Sequence, residues 1–226
     1  MSREETRTSN ATYYSVIGGS FRTQVPQDHP EAVKRDWESS DGKKGTKYER
    51  IVNALIGTIT NIQFVEGDFG VQLVITLDEA EDKRVPRIAL STASREAEYL
   101  MKCLPTVDLT KPIRFRPYSF EDEKTKKEVR GMEMSQENAE GKFLNKAQNF
   151  FKDPETKENL NGFPAPDDED TTGYDADDWK IYFMKCRKFL IKYTNENIIA
   201  KLAPVVAASA PDTREAPEIF PEDIPF

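Results

Sequence analysis

The middle of the chain is a run of strand-forming residues whose spacing limits the folds that it can adopt. From position 47 to position 65 the apolar residues change phase at Gly57, which is typical of a strand that bends at a bulge around a small barrel. After a turn, apolar residues alternate with their neighbours and predict a half-buried strand. These alternating residues are Val71, Leu73, Ile75 and Leu77.

Further strands and a helix follow in an informative order. Val85–Ser91 has the pattern of a third strand, 92–104 that of a helix capped by Ser94, and 112–120 and 128–135 those of two more strands. Three strands, a helix and two strands is the order of the OB fold. We therefore predict a mainly β protein with helices, built on a five-stranded OB-like barrel. Another small barrel or an α+β sheet is the alternative.

The segments that flank this region also have regular patterns. Residues 13–25 resemble a strand broken by a glycine pair, and 32–37 a short strand. Apolar residues at helical spacing predict a helix over 139–151 and a longer one over 177–202. The longer helix has an acidic first turn and a basic body, which suits the helix dipole, and a wide apolar stripe that should pack on the barrel.

These patterns divide the chain into four parts. Residues 1–152 are expected to form the OB-fold domain with an N-terminal extension, and 153–176 an acidic linker or loop rich in Pro and Gly. The helix over 177–202 follows. Residues 203–226, which begin with a Pro/Ala-rich stretch, are expected to be a disordered acidic tail.

Composition excludes some classes of protein. The hydrophobic content of 37% is low and the charged content of 32% is high, so we expect one core and some unfolded sequence. No apolar run is long enough for a transmembrane helix, and the first residues do not resemble a signal peptide. The two cysteines, Cys103 and Cys186, are far apart and are expected to be buried, reduced thiols. A cytoplasmic protein is the expectation.

The net charge of −8 is unevenly distributed. Two segments, 167–178 and 212–226, hold twelve of the forty acidic residues and one of the thirty-two basic residues. The rest of the chain is therefore close to neutral, with an excess of three positive charges. A nucleic-acid site in the main domain would have to be a local stripe, because the overall charge does not attract a polyanion.

Such a stripe is predicted on the fourth strand. Ile113 and Phe115 should face the core, and alternation then turns Arg114, Arg116 and Tyr118 to the other face. Aromatic faces for bases and cations for phosphates are what single-strand binding requires. Further candidates are three lysines of the following hairpin loop, one residue near the tip of the first hairpin, one residue on the third strand, and a basic and aromatic cluster that precedes the barrel. They are Lys124, Lys126 and Lys127; Phe69 and Arg87; and Lys34, Arg35, Trp37, Lys43, Lys44, Lys47 and Tyr48.

Catalysis has little support in the sequence. The single histidine, His29, lies in a Pro-rich turn, and no phosphate-binding loop is present. The tripeptide 68–70 matches the magnesium-binding motif of kinases, but the other kinase motifs do not accompany it, so we interpret it as a hairpin turn. The acidic run at 167–170 suits a solvated linker better than a metal site, and the two cysteines do not form a zinc pattern. We expect a protein that is not an enzyme and has no metal or cofactor.

The last residues carry a resemblance. The peptide Glu222-Asp223-Ile224-Pro225-Phe226 resembles the terminal peptide of the bacterial single-stranded-DNA-binding proteins, which ends in Asp-Ile-Pro-Phe. In that family the terminal Phe and its free carboxylate dock in a hydrophobic, basic pocket of partner proteins. The layout of the chain is also similar to that of bacteriophage single-stranded-DNA-binding proteins with an acidic tail and a terminal Phe. The Trp, Phe and Gly pattern of the bacterial family is not found in the barrel, and the tail is less acidic than is usual there.

The resemblance implies a function. It implies sequence-independent binding and protection of single-stranded DNA in the cytoplasm of a bacterial host, by a monomer or a homodimer. The tail would recruit proteins of DNA replication, recombination or repair, and would compete for the DNA groove when no DNA is bound. The alternative is an OB-like protein-interaction or virion-assembly module that does not bind DNA, and the net charge of −2 on residues 1–166 favours it. An OB-containing nuclease or ligase fragment is a third interpretation, for which no catalytic constellation is visible.

Overall fold

The computed structural model describes residues 10–39, 42–67, 70–78, 84–167 and 171–202. Within these ranges the protein is mainly β with helices. The strands are β1 (Ala11–Ile17), β2 (Ser20–Gln24), β3 (Val33–Glu38), β4 (Lys44–Val52), β5 (Leu55–Gly57), β6 (Ile59–Gly67), β7 (Gly70–Leu77), β8 (Val85–Ser91), β9 (Ile113–Glu121), β10 (Glu128–Glu137) and β11 (Phe143–Lys146). The helices are α1 (Arg95–Cys103), α2 (Ala176–Tyr193) and α3 (Ala200–Leu202), with a π-helical segment, Thr194–Ile199, between the last two. None of the described helices is long and apolar enough to cross a membrane.

The strands form two open sheets. Seven strands follow the order β3-β4-β2-β1-β8-β7-β6, and four follow the order β11-β10-β9-β5. The pair β1 and β8 is parallel, whereas the other pairs are antiparallel. The expected order of three strands, a helix and two strands is present in β6 to β10, but the closed five-stranded barrel is not. The strand β1 occupies the free edge of β8 and β11 occupies that of β10, so these two edges do not join each other.

The long strand-forming run links the two sheets. It is interrupted after Gly57, so β5 pairs with β9 in one sheet and β6 pairs with β7 in the other. A Cβ on Gly57 would lie 2.5 Å from Oδ1 of Asp78, and this oxygen accepts a hydrogen bond from the backbone N–H of Thr58 at 2.9 Å. The glycine predicted to mark a bend is therefore the point where the chain crosses between sheets.

The core lies between the sheets. Tyr14, Phe21 and Ile88 face it from the seven-stranded sheet, and Phe115 and Met132 from the four-stranded sheet. The prediction that β7 is half-buried was wrong. Its other face is also covered, since Val74 is 1% and Thr76 is 8% exposed.

The helix α1 agrees with its prediction. The side chain of Ser94 accepts a hydrogen bond from the N–H of Ala97 at 3.1 Å, which caps the first turn. Ala97, Leu100 and Met101 are buried on one face of the helix. Both cysteines are also buried, as expected: Cys103 on α1 and Cys186 on α2.

The second long helix is confirmed, and the one expected over 139–151 is wrong. The strand β11 forms there and pairs with the open edge of β10, so backbone hydrogen bonds between strands replace those of a helix. The residues after β11 lead to Phe151, which is fully buried. Its ring contacts Phe163, which lies in the segment expected to be a linker, and Phe189 and Tyr193 of α2. This aromatic cluster attaches α2 to the rest of the fold.

Candidate nucleic-acid interface

The strand β9 has the alternation that the sequence predicts. Ile113 and Phe115 are fully buried, whereas Arg114, Arg116 and Tyr118 lie on the opposite side of the strand. We call this outward side the β9 face. Its members on β9, β10 and β11 are Arg114, Arg116, Tyr118, Phe120, Glu133 and Lys146. Arg116 is the most exposed of its cations on β9, with 53% of its side chain accessible.

Two aromatic rings lie side by side on the β9 face. The rings of Tyr118 and Phe120 are stacked, with centroids 6.0 Å apart and planes inclined by 27°. Tyr118 pairs with Gly131 of β10, and a Cβ on that glycine would lie 2.4 Å from Oη of Tyr118. Phe120 is 55% exposed. The pair offers aromatic surface to solvent beside the cation of Arg116.

A single carboxylate organises the cations of this face. Glu133 pairs with Lys146 at 2.7 Å, with Arg114 at 3.3 Å and with Arg116 at 3.7 Å. The hydrogen bond from Lys146, followed by the charges of the neighbouring cations, lowers the pKa of Glu133. The guanidinium of Arg114 also donates to the carbonyl oxygen of Phe143 at 3.1 Å and lies over its ring. With three cations and one carboxylate, the β9 face has a net charge of +2.

The loop between β9 and β10 borders the face but adds no net charge. Its three lysines, Lys124, Lys126 and Lys127, are matched by three acidic residues at 121–123. Lys126 forms an ion pair with Glu121 at 3.7 Å. The carboxylate of Asp122 accepts hydrogen bonds from two backbone N–H groups of the loop, and these bonds lower its pKa. The charges and the hydrogen bonds of this loop are thus satisfied largely within the loop itself.

The basic cluster expected before the barrel is not a single patch, and this corrects the prediction. Alternation along the β3–β4 hairpin divides it between two faces. Arg35, Trp37 and Lys47 lie on one face, Lys34, Lys44 and Tyr48 on the other, and Lys43 precedes β4. On the second of these faces, Lys34 pairs with Asp36 at 3.2 Å and Lys44 with Glu38 at 2.9 Å, so carboxylates offset these charges.

The first face of the hairpin continues onto other strands. Arg35 and Arg22 both bind the buried carboxylate of Glu49, at 3.0 and 3.1 Å. Further along the same sheet, Nη1 of Arg87 donates to Oη of Tyr13 at 2.7 Å. The sequence predicted Arg87 and Arg35 as site residues but missed Arg22 and Tyr13. Their position next to a core residue on each strand was the signal that could have found them.

Other predicted site residues lie outside the described residues. Phe69 is one of them, and the terminal peptide is another: Glu222, Asp223, Ile224, Pro225 and Phe226. On the β9 face, the sequence missed Lys146 and Phe120, which only the pairing of β9, β10 and β11 reveals.

The described residues contain no group of three or more His, Cys, Asp or Glu that could hold a metal ion. His29 accepts a hydrogen bond from the backbone N–H of Glu31 at 3.1 Å within its turn. Burial raises the pKa of the Cys103 thiol to about 11 and also raises that of Cys186. Both thiols are therefore poor nucleophiles at neutral pH.

Comparison of the chain with family models, with curated proteins and with solved structures found no match.

Proposed function

We propose that this protein binds single-stranded DNA without sequence preference, through the β9 face. The observation that carries the proposal is the stacked pair of Tyr118 and Phe120 beside the exposed guanidinium of Arg116. Stacking on aromatic side chains together with cations for the backbone is the general chemistry of single-strand binding. Because every base has a π-face, such a surface does not select a sequence.

Each group on the face has a role in this proposal. Bases stack on Tyr118 and Phe120, while Arg116, Arg114 and Lys146 contact phosphates. Glu133 holds these cations at a common site and is displaced from them, in part, by phosphate oxygens. From Arg114 to Phe120 the strand spans about 20 Å, at about 3.4 Å per residue. This length suits a short run of nucleotides.

The chain order supports a relationship to OB folds. The sequence β6, β7, β8, α1, β9 and β10 follows the OB order, and β5 pairs with β9 as the bent first strand of an OB fold pairs with the fourth. The present arrangement would be an opened form, in which β1 and β11 extend the sheets.

The proposal extends to the tail. Residues 212–226 contain five acidic residues and the two short motifs Ile-Phe-Pro (219–221) and Ile-Pro-Phe (224–226). This composition suits docking of an aromatic anchor into a basic pocket. We propose that this segment recruits proteins of DNA replication, recombination or repair, in a bacteriophage system within the host cytoplasm.

Fluorescence anisotropy of labelled oligo-dT, at two salt concentrations and against a duplex control, tests the proposal. We expect salt-sensitive binding that favours the single strand. The double variant Arg116→Gln/Tyr118→Ala should weaken binding by about 1–3 kcal/mol. The matched control is Arg187→Gln/Phe183→Ala, which removes one cation and one exposed aromatic from α2. If both double variants lose the same affinity, the β9 face is not the site.

A protein-interaction or virion-assembly module is the second candidate. The observation that favours it is a group of exposed apolar residues on α2, namely Ile181, Phe183 and Met184. An apolar interface of this kind would be nearly insensitive to salt, whereas phosphate contacts weaken steeply as salt rises. Absence of oligo-dT binding at low salt, also after removal of 212–226, would favour this second function.

A further inference from the structure

A second row of cations and aromatic rings crosses the seven-stranded sheet. Three of its residues each follow or precede a core residue in the chain: Tyr13 beside Tyr14, Arg22 beside Phe21, and Arg87 beside Ile88. Alternation therefore turns all three away from the core. We call the row the β4 face. Its members are Tyr13, Arg22, Arg35, Trp37, Lys47, Glu49 and Arg87.

Strand pairing makes this row continuous. Arg35 pairs with Lys47 across β3 and β4, and Tyr13 pairs with Arg87 across β1 and β8. Between these ends, Arg22 of β2 contacts Glu49 of β4 and lies opposite Ser15 of β1, which is two residues from Tyr13 and on the same side of the strand. The row crosses five neighbouring strands and so spans about 19 Å, since adjacent strands lie about 4.8 Å apart.

The β4 face carries more net charge than the β9 face. With four cations and one carboxylate, its net charge is +3. The carboxylate of Glu49 is 5% exposed and is already held by two arginines. Arg87 has no carboxylate partner among the described residues, and its side-chain hydrogen bond to Tyr13 uses one of five donors. Guanidinium groups with unused donors are suited to phosphate oxygens.

Trp37 repeats the arrangement of Tyr118. It pairs with Gly45 of the neighbouring strand, and a Cβ on that glycine would lie 2.7 Å from the indole ring. The ammonium of Lys47 lies 5.5 Å from the ring centroid. On each sheet, then, an aromatic ring covers a glycine on the next strand and has a cation beside it.

We infer that the β4 face is a second binding track for single-stranded polynucleotide, so that one chain holds two strands at once. This inference rests on the proposed function of the β9 face. The two faces belong to different sheets, and each points away from the core. Where the sheets are stacked, strands bound on the two outer faces would be about 20 Å apart, since packed sheets are about 10 Å apart and side chains extend from both. Their mutual repulsion is screened at that distance, because the Debye length is about 8 Å at physiological salt.

Native mass spectrometry with an oligo-dT of about six nucleotides tests the inference. The full chain is used, and only the monomer peak is analysed, so that oligomers do not contribute. We expect two oligonucleotides per chain. The variant Arg87→Gln/Lys47→Gln should retain one, as should Arg116→Gln/Tyr118→Ala, and the combination of all four substitutions should retain none. Circular dichroism and an unfolding curve establish that each variant is folded.

The outcomes separate the two proposals. One oligonucleotide on the wild type, lost with Arg116→Gln/Tyr118→Ala, would leave the proposed function intact and overturn the second track. Two oligonucleotides on Arg87→Gln/Lys47→Gln would also overturn it. Loss of all binding with Arg87→Gln/Lys47→Gln alone would mean that the β4 face is the only track, which contradicts the site proposed on β9. Absence of binding to the wild type would overturn both.

Discussion

Tyr118 and Gly131 face each other across β9 and β10, and the phenol ring occupies the place that a Cβ on the glycine would take. The hypothetical Cβ lies 2.4 Å from Oη and 2.6 Å from Cζ of the tyrosine. No real Cβ tolerates such distances, so the glycine is what allows the ring to lie across the sheet. Its neighbour Phe120 continues the aromatic surface.

Gly131→Ala should therefore act through Tyr118. The new methyl group displaces the ring and separates it from Phe120, so we expect oligo-dT affinity to fall by about 1–2 kcal/mol, close to the effect of Tyr118→Ala. In the Tyr118→Ala background, Gly131→Ala should change the affinity little, because no ring remains to displace. Anisotropy titrations of the four proteins measure this coupling. Additive losses would contradict the proposed link.

Glu133→Gln should strengthen DNA binding. The substitution removes the one carboxylate of the β9 face and leaves Arg114, Arg116 and Lys146 without a competing anion. We expect a steeper salt dependence, by about 0.7 in the log–log slope for each additional phosphate that these cations bind. The control is Glu140→Gln, which removes an exposed ion pair with Lys142 in the β10–β11 turn. Equal effects of the two substitutions would indicate only a change in total charge.

The same carboxylate should make stability depend on pH. The pKa of Glu133 is lowered in the folded protein, first by the hydrogen bond from Lys146 and then by neighbouring charges. Its stabilising contribution is therefore complete above the unfolded pKa of about 4.3 and is lost as the pH falls through the lower folded pKa. The difference in unfolding free energy between wild type and Glu133→Gln should be constant from neutral pH to about pH 5 and shrink below about pH 4. A difference that shrinks between pH 8 and 6 would contradict the lowered pKa.

The elements that depend on local pattern were predicted correctly in most cases. The alternation on β9, the cap of α1 by Ser94 and the second long helix all agree with the structure. Sheet membership could not be predicted, because β1 and β11 join their sheets through pairings that local pattern does not specify. The barrel prediction failed for that reason.

Prediction of the candidate site from the sequence was limited in the same way. Arg116 and Tyr118 were found because they are two residues apart on one strand. The carboxylate of Glu133 and the ammonium of Lys146 enter the site from two other strands, and the sequence does not reveal that register. Similarly, the sequence predicts one cluster that includes Lys34, Lys47 and Trp37, but alternation puts only Lys47 on the same face of the hairpin as Trp37.

Phe151→Ala should destabilise the fold strongly. The ring is fully buried and contacts Phe163, Phe189 and Tyr193, so its removal leaves a cavity where α2 attaches. We expect a loss of about 3–5 kcal/mol in the free energy of unfolding, measured by urea titration. The control is Phe183→Ala, because Phe183 is 51% exposed and should contribute much less. Comparable losses would mean that the aromatic cluster does not anchor the helix.

Deletion of residues 212–226 should tighten oligo-dT binding at low salt. The segment lies outside the described residues, but its deletion removes five acidic residues and one arginine from a chain with a net charge of −8. Under the proposed function, its negative charge would repel DNA and compete with it for the cations of the β9 face, and both effects would weaken as salt screens them. We therefore expect the increase in affinity to be largest at low ionic strength and to vanish near 1 M salt, where the Debye length is about 3 Å. A matched variant that keeps the length but replaces the five acidic residues by Asn or Gln separates charge from the aromatic motif. If that variant has the oligo-dT affinity of the full-length protein while the deletion variant binds more tightly, the apolar residues of the tail, and not its charge, weaken DNA binding.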